Sequence, residues 1–194
     1  AYAEVLAGMQ KRYEDLRDLY DVNRATIPAT RGDEQWWKQR FSKQIKAAQD
    51  PSVRLAFIGD SITQGWEGKG KDVWNHFYGD RNAINMGCGG DRTEHVIWRL
   101  QKGLGKMKPE VVVLMIGTNN TGHFLQDPAE VAEGVQEILS ILERRLPQTK
   151  VILHGIFPRG AQPYDEKRLN NVAINQRIRR LADGQRIHYL DIGD

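Results

Sequence analysis

A short apolar run at residues 55–58 is followed directly by Gly59, Asp60 and Ser61, and then by residues that suit a helix. A run of this length beside a glycine is typical of a strand buried on both faces of a parallel sheet. Ser61 would then lie at the carboxyl end of a strand and at the start of a helix, where open α/β sheets place their binding sites. The positive end of the helix dipole would favour an alkoxide or an oxyanion at that point.

Ser61 also has a purely structural interpretation. Gln64 follows three residues later, and this spacing is that of a capping box, in which the serine only caps the first turn of a helix. On this stretch alone the cap is the favoured interpretation, because serine is among the commonest residues at a helix N-cap. The choice between the two roles depends on the rest of the chain.

Strand and helix patterns alternate through the rest of the chain. The predicted strands are short apolar runs at 55–58, 83–86, 111–116, 151–153 and 187–190. Asp127 and Pro128 are placed to open the longest of the intervening helices. The alternation predicts an α/β fold: a three-layer, flavodoxin-like, doubly wound parallel five-stranded sheet with right-handed crossovers.

The first 50 residues are predicted to be a helical extension packed on a main domain of residues 51–194. Apolar residues recur at helical spacing over 2–20, and Asp33 is placed to cap a second helix. The Trp36-Trp37 pair in that helix indicates a packing anchor, with carbohydrate stacking as the alternative.

Composition excludes several classes of function. The 194 residues are 40% hydrophobic and carry a net charge of +3 without a dense Lys/Arg block, so nucleic-acid binding is not indicated. No apolar stretch approaches the ~18 residues that a membrane span needs. The single cysteine, Cys88, excludes an internal disulfide. No histidine pair or cysteine cluster has metal-ligand spacing, so we expect neither a metal nor another cofactor.

Three successive strands are followed by groups with complementary chemistry. Ser61, Gly90 and Asn119 are 29 residues apart, which is about one strand–helix unit each, and a parallel sheet opens their loops at one edge. A hydroxyl, a backbone N–H without a side chain in front of it and a carboxamide can together form a nucleophile and an oxyanion hole. Each residue alone also has a structural interpretation, as a cap, a turn and an Asx-turn respectively.

The motifs at these positions resemble those of one hydrolase family. Gly59-Asp60-Ser61, the segment 85–91 (Asn-Met-Gly-Cys-Gly-Gly-Asp) and the segment 117–120 (Gly-Thr-Asn-Asn) resemble three of the four motif blocks of the SGNH (GDSL) hydrolases. The segments 95–100 and 156–160 look like the branch that contains the platelet-activating-factor acetylhydrolase catalytic subunits and many bacterial esterases. The resemblance covers roughly residues 50–194.

The resemblance implies a role for each site residue. Ser61 is the nucleophile, Gly90 and Asn119 complete the oxyanion hole together with the Ser61 N–H, and Asp60 supports the motif. The opening is not the G-x-S-x-G elbow of α/β-hydrolases, because Thr63 stands where the second glycine would be.

One block of the family pattern is not found. A serine nucleophile needs a base, and the family takes its Asp and His from an Asp-x-x-His block after the fifth strand. None of the five histidines has Asp three residues before it. Three explanations are open: a further segment carries the pair, the protein is an inactive relative, or another histidine substitutes. His123 and His154 lie near predicted strand ends and are the candidates for the third explanation.

Two functional hypotheses follow. The first is a serine ester hydrolase that removes short acyl groups, by default acetyl, from a carbohydrate or lipid-like ester through an acyl-enzyme. This enzyme would be impaired in the chain as it stands. The alternative is an inactive SGNH-fold module that binds carbohydrate or acyl groups. The expected partner is a small-molecule ester, a homodimer is compatible with the sequence, and family habit is consistent with an exported bacterial protein.

Overall fold

The computed structural model describes residues 22–193, together with residues 5 and 8. The strands run over Leu55–Gly59 (β1), Ala83–Gly87 (β2), Val111–Met115 (β3), Lys150–His154 (β4) and Ile187–Leu190 (β5). They form one sheet in the order β2-β1-β3-β4-β5, and every neighbouring pair is parallel. The α/β prediction is confirmed, including the strand order of flavodoxin-like folds.

Helices connect the strands and flank the sheet. They run over Gln35–Ala47 (α1), Ser61–Gln64 (α2), Lys71–Tyr78 (α3), Thr93–Lys102 (α4), Thr118–Phe124 (α5), Pro128–Arg145 (α6) and Glu166–Ile178 (α7). The helix predicted over 2–20 lies outside the described residues, apart from residues 5 and 8, which are helical. None of the helices in the described part of the chain is long and apolar enough to cross a membrane.

The core lies between the central strands and the helices packed on them. Alternate residues of β1 and β3, such as Ile58 and Leu114, are fully buried, as is the apolar stripe of α6 that includes Ile138 and Leu142. Burial of each such side chain contributes about 1.5–3 kcal/mol. In the central strands β1 and β3 neither face is exposed, as is typical of continuous apolar runs in a parallel sheet.

The register of the sheet places the candidate loops together. Gly59 at the end of β1 is paired with Gly87 of β2 and with Met115 of β3. The three strands therefore end at one level, and the loops that follow them open at the same edge.

Two of the three helix caps that the sequence suggested are wrong and one is confirmed. Helix α1 has Glu34 rather than Asp33 at its N-cap. Helix α2 is capped by Asp60 rather than Ser61, whereas Asp127 caps α6 as predicted, with Pro128 following it. Helix α4 has Arg92 at its N-cap, and the Asp91 carboxylate just before it pairs with the buried Arg99.

Candidate active site

Ser61 lies at the first position of α2 and does not cap it. The Asp60 carboxylate accepts the Ile62 N–H at 2.9 Å and so satisfies one of the free amides of the first helical turn. Ser61 is exposed at the sheet edge, and its hydroxyl has no hydrogen-bond partner among the described residues. The hydroxyl is thus available for chemistry, and the capping interpretation of Ser61 is wrong.

Helix α2 fixes the loop after β2. The Gln64 side chain accepts the Gly89 N–H at 2.7 Å, and Asn85 donates to the Thr63 carbonyl at 2.8 Å. Gly87 packs so closely on the backbone of Gln64 that a side chain would overlap it. A Cβ added to Gly89 would lie 3.8 Å from Ser61 Cβ. The glycine-rich loop therefore lies directly beside Ser61.

Asn119 joins the third loop to the same place. It lies in the first turn of α5, is 7% exposed, and donates from Nδ2 to the Asp91 carbonyl at 2.9 Å. A carboxamide has two N–H donors, so one remains for a ligand. The structure thus brings Ser61, Gly89–Asp91 and Asn119 together at the edge of the sheet.

The backbone amides of Ser61 and Gly90 have no hydrogen-bond partner among the described residues. The neighbouring amides are occupied, because Gly89 donates to Gln64 and Asp91 donates to the Cys88 carbonyl at 3.1 Å. Gly90 has a φ of +73°, a backbone conformation that glycine adopts without strain. Unpaired N–H groups beside a hydroxyl are what an oxyanion hole requires. The catalytic roles of Ser61, Gly90 and Asn119 stay predictions.

A buried ion pair holds the loop from beneath. Arg99 Nε donates to Asp91 Oδ2 at 2.7 Å, and both side chains are excluded from solvent. The other oxygen, Oδ1, accepts from Trp37 Nε1 at 2.8 Å and from Arg31 Nη1 at 3.3 Å. Because a buried charge is costly unless it is paired and hydrogen-bonded, this set of donors fixes Asp91 in one position.

Arg99 also ties the strand ends to the helical extension. Its guanidinium donates to the carbonyls of Met86 and Gly59, at 2.9 and 3.3 Å, and to Gln44 Oε1 of α1 at 3.1 Å. One side chain therefore sets the ends of β1 and β2 relative to the loop that contains Gly90.

Asp60 is buried behind Ser61. Burial is the main cause that raises the pKa of its carboxyl from 3.8 to about 6. The Ile62 N–H opposes this shift, while the charges of Asp91 and Arg159 act in opposite directions. Arg159 itself donates to Thr118 and packs over Gly122.

The two candidate histidines are in different surroundings. His123 lies at the end of α5 beside Arg92, with Arg92 Nη1 3.1 Å from its Nδ1, and burial and nearby arginines lower its pKa. His154 is buried, contacts the Phe157 ring and donates from Nδ1 to the Gly155 carbonyl at 2.7 Å. No hydrogen bond joins either histidine to Ser61 among the described residues, so a role as the base stays a prediction for both. The described residues contain no cluster of three or more His, Cys, Asp or Glu that could hold a metal.

Sequence reasoning did not find Arg31, Arg92, His95 or Arg99. A signal existed for Arg99, because it occurs among the apolar positions of an amphipathic helix, where a charge requires a buried partner. No comparable signal existed for the contacts that Arg31 makes with Gly89 and Asp91, which are 58 and 60 residues away in the chain.

Comparison with known proteins identifies the family of this chain. The sequence model of the GDSL-like Lipase/Acylhydrolase family matches residues 57–194. The chain belongs to this family. Platelet-activating factor acetylhydrolase IB subunit alpha1 of Bos taurus is 34% identical over 176 residues, which are 88% of this chain and 73% of that protein. The alpha2 subunit of Homo sapiens is 35% identical over 164 residues, or 82% and 69% of the two chains.

Solved structures of a GDSL-like lipase and of an esterase share the fold. A GDSL-like lipase from Bacteroides thetaiotaomicron superposes with a TM-score of 0.65 at 20% identity, covering 80% of this chain and 77% of that one. The acetyl xylan esterase AlAXEase superposes with a TM-score of 0.61 at 24% identity, covering 72% and 77%. The family and the relatives together support ester hydrolysis, the chemistry of acylhydrolases and esterases, for this chain.

Proposed function

We propose that the protein removes short acyl groups, acetyl above all, from a carbohydrate or lipid-like ester through an acyl-enzyme on Ser61. The observation that carries the proposal is the pair of unpaired amides at Ser61 and Gly90, beside the Asn119 carboxamide and an exposed hydroxyl. Such preorganised donors stabilise the charge that develops on the ester oxygen, at about 3 kcal/mol for each donor.

The proposed reaction has two steps. Ser61 Oγ attacks the acyl carbon, the oxyanion is held by the three donors, and the bond to the alcohol oxygen breaks. The serine proton passes through a base to the departing alcohol. Water then attacks the acyl-enzyme and gives its proton to the same base. The carboxylic acid leaves and the Ser61 hydroxyl is restored.

Two features support a short acyl group and a larger alcohol. The chain's relatives bear the name acetylhydrolase, and the loop beside Ser61 is built from glycines without side chains. Trp36 is 44% exposed and approaches Gly89, where a Cβ would lie 4.0 Å from its ring. An exposed indole at this point suits the apolar face of a sugar or a lipid chain. The buried neighbour Trp37 serves packing instead.

The base is the part that these 194 residues do not provide as an Asp-x-x-His pair. We therefore expect this chain alone to be severely impaired, because loss of a triad histidine commonly costs about 10⁶ in turnover. The relatives favour a hydrolase over the non-catalytic binding module.

Hydrolysis of p-nitrophenyl acetate tests the proposal. The chain alone should turn over barely above background. A form carrying a native carboxyl-terminal Asp-x-x-His segment should be active, and S61A should abolish that activity. The enzyme hypothesis would be wrong if the longer form were active but insensitive to S61A, and a folded but inactive longer form would favour the binding module. In the 194-residue chain, H123A and H154A test whether either histidine acts as the catalytic base.

A further inference from the structure

A polar cavity of about 350 Å³ lies beside Gly90. Basic side chains from three different segments line it: Arg31, Arg92, His95 and His123. Arg31 is already engaged, because its guanidinium forms a two-point pair with Glu34 and also donates to the Gly89 carbonyl at 2.6 Å. The hydrogen-bond donors that remain for a ligand must therefore come from Arg92, His95 or His123.

The backbone fixes the tautomer of His95. The Arg92 N–H donates to His95 Nδ1 at 3.0 Å, so Nδ1 carries no proton. The ring is 3% exposed, and burial is the main cause that lowers its pKa to about 4. His95 is therefore neutral near pH 7, and its single ring proton is on Nε2.

This proton faces a second donor. Arg92 Nη2 lies 3.3 Å from His95 Nε2, and because both atoms carry hydrogen, neither can accept from the other. No acceptor among the described residues bonds either of these two groups. The remaining groups of Arg92 are occupied, since Nε pairs with Glu94, Nη1 contacts His123, and the guanidinium lies 4.8 Å from the Phe124 ring.

We propose that Arg92 Nη2 and His95 Nε2 form a subsite that binds an anionic oxygen of the substrate, a carboxylate or a phosphate, next to the amide of Gly90. An oxygen between the two groups would accept from both, and a guanidinium donor favours a charged acceptor. Glu34 on the cavity wall is compensated by Arg31, and Asp33 is the other acidic residue there. The proposal rests on the proposed function, because it takes this oxygen to be part of the ester substrate.

Histidine-detected NMR tests the subsite without turnover. With ¹⁵N-histidine in the full chain, inorganic phosphate at constant ionic strength should shift the His95 Nε2 signal saturably. Trimethyl phosphate, which keeps the P=O acceptor without the charge, should not. Equal responses to both probes, or no saturable response to phosphate, would overturn the proposal.

Variants locate the binding. R92Q removes the charge and should weaken phosphate binding about tenfold or more. R54Q, in an exposed pair with Glu110, is the matched control and should bind as the parent does. His95→Asn keeps a side-chain oxygen that can accept the Arg92 N–H but removes the ring N–H at Nε2. This variant should also weaken phosphate binding. Urea unfolding shows that each variant is folded. Unchanged binding in R92Q and His95→Asn would contradict the assignment.

The two proposals fail separately. Ser61-dependent hydrolysis without phosphate binding at His95 would remove the subsite and leave the esterase. Phosphate binding that depends on Arg92, without any Ser61-dependent hydrolysis in the longer form, would leave the subsite and remove the esterase.

Discussion

The carboxylate of Asp91 and the guanidinium of Arg99 are joined by a 2.7 Å hydrogen bond in a place where neither side chain touches solvent. Asp91 comes directly after Gly90, whose amide is a candidate oxyanion donor. Arg99 lies eight residues later, in α4, and donates to the carbonyls at the ends of two strands. The position of that amide is thus linked to a charge pair in the interior.

Breaking this pair should cost far more than breaking an exposed one. We expect R99M to reduce the free energy of unfolding by about 3–5 kcal/mol, because it leaves the Asp91 charge buried without its main partner. R54M makes the same change in the exposed Arg54–Glu110 pair and should cost far less, because water screens an exposed pair. Urea unfolding of both variants is the measurement. Similar losses in the two would show that the buried pair contributes little.

The adjacent tryptophans offer a second matched comparison. W37F keeps an aromatic ring against Phe41 and Trp98 but removes the Nε1 donor to Asp91, and we expect a loss of about 1.5–3 kcal/mol. W36F removes a hydrogen bond to exposed Glu34 and should stay within about 0.5 kcal/mol of the parent. Thermal or urea unfolding separates the two outcomes. Equal effects would contradict a special role for the Trp37 hydrogen bond.

Asp60 should make stability fall as pH rises. Its folded-state pKa, about 6, lies above the ordinary 3.8, so the folded protein holds the proton more tightly than the unfolded chain does. The stability from this group is present below the unfolded pKa and is lost as pH rises through about 6. D60N keeps an oxygen that can cap Ile62 but does not titrate. The stability of D60N relative to the parent should rise by about 2 kcal/mol between roughly pH 4 and 7. A parallel pH profile would contradict the raised pKa.

Gly90 and Gly184 separate backbone strain from crowding. Their φ values are +73° and +71°, so alanine at either position should cost about 1–2 kcal/mol from the left-handed conformation alone. An added Cβ at Gly184 meets nothing within 4 Å, whereas at Gly90 it lies 3.0 Å from Arg31 Nη1. G90A should therefore be the less stable variant and should also weaken catalysis in an active form. Equal unfolding energies would mean that Arg31 moves aside without loss.

The strands could be predicted because both faces of each central one are buried. Continuous apolar runs such as 111–115 have few other solutions in an α/β chain, and the glycines and polar residues after them mark the sheet edge. The clustering of Ser61, Gly90 and Asn119 followed from the same register. Local pattern and chain topology were sufficient for this part of the site.

The helix starts and the arginines could not be predicted in the same way. A carboxylate near a helix start can cap the helix or pair with a distant cation, and Asp91 does the second because Arg99 is buried beside it. Likewise, the tautomer of His95 depends on one backbone N–H and on burial, which are visible only after folding. The side chains that hold the site come from tertiary contacts and leave no periodic pattern.

Asp60, not Ser61, closes the first turn of α2. Ser61, which would perform the chemistry, is therefore not needed to cap this helix. A single codon change at position 61 could silence such an enzyme while leaving an intact pocket. In this fold, one mutational step separates a hydrolase from a receptor for the same ligand.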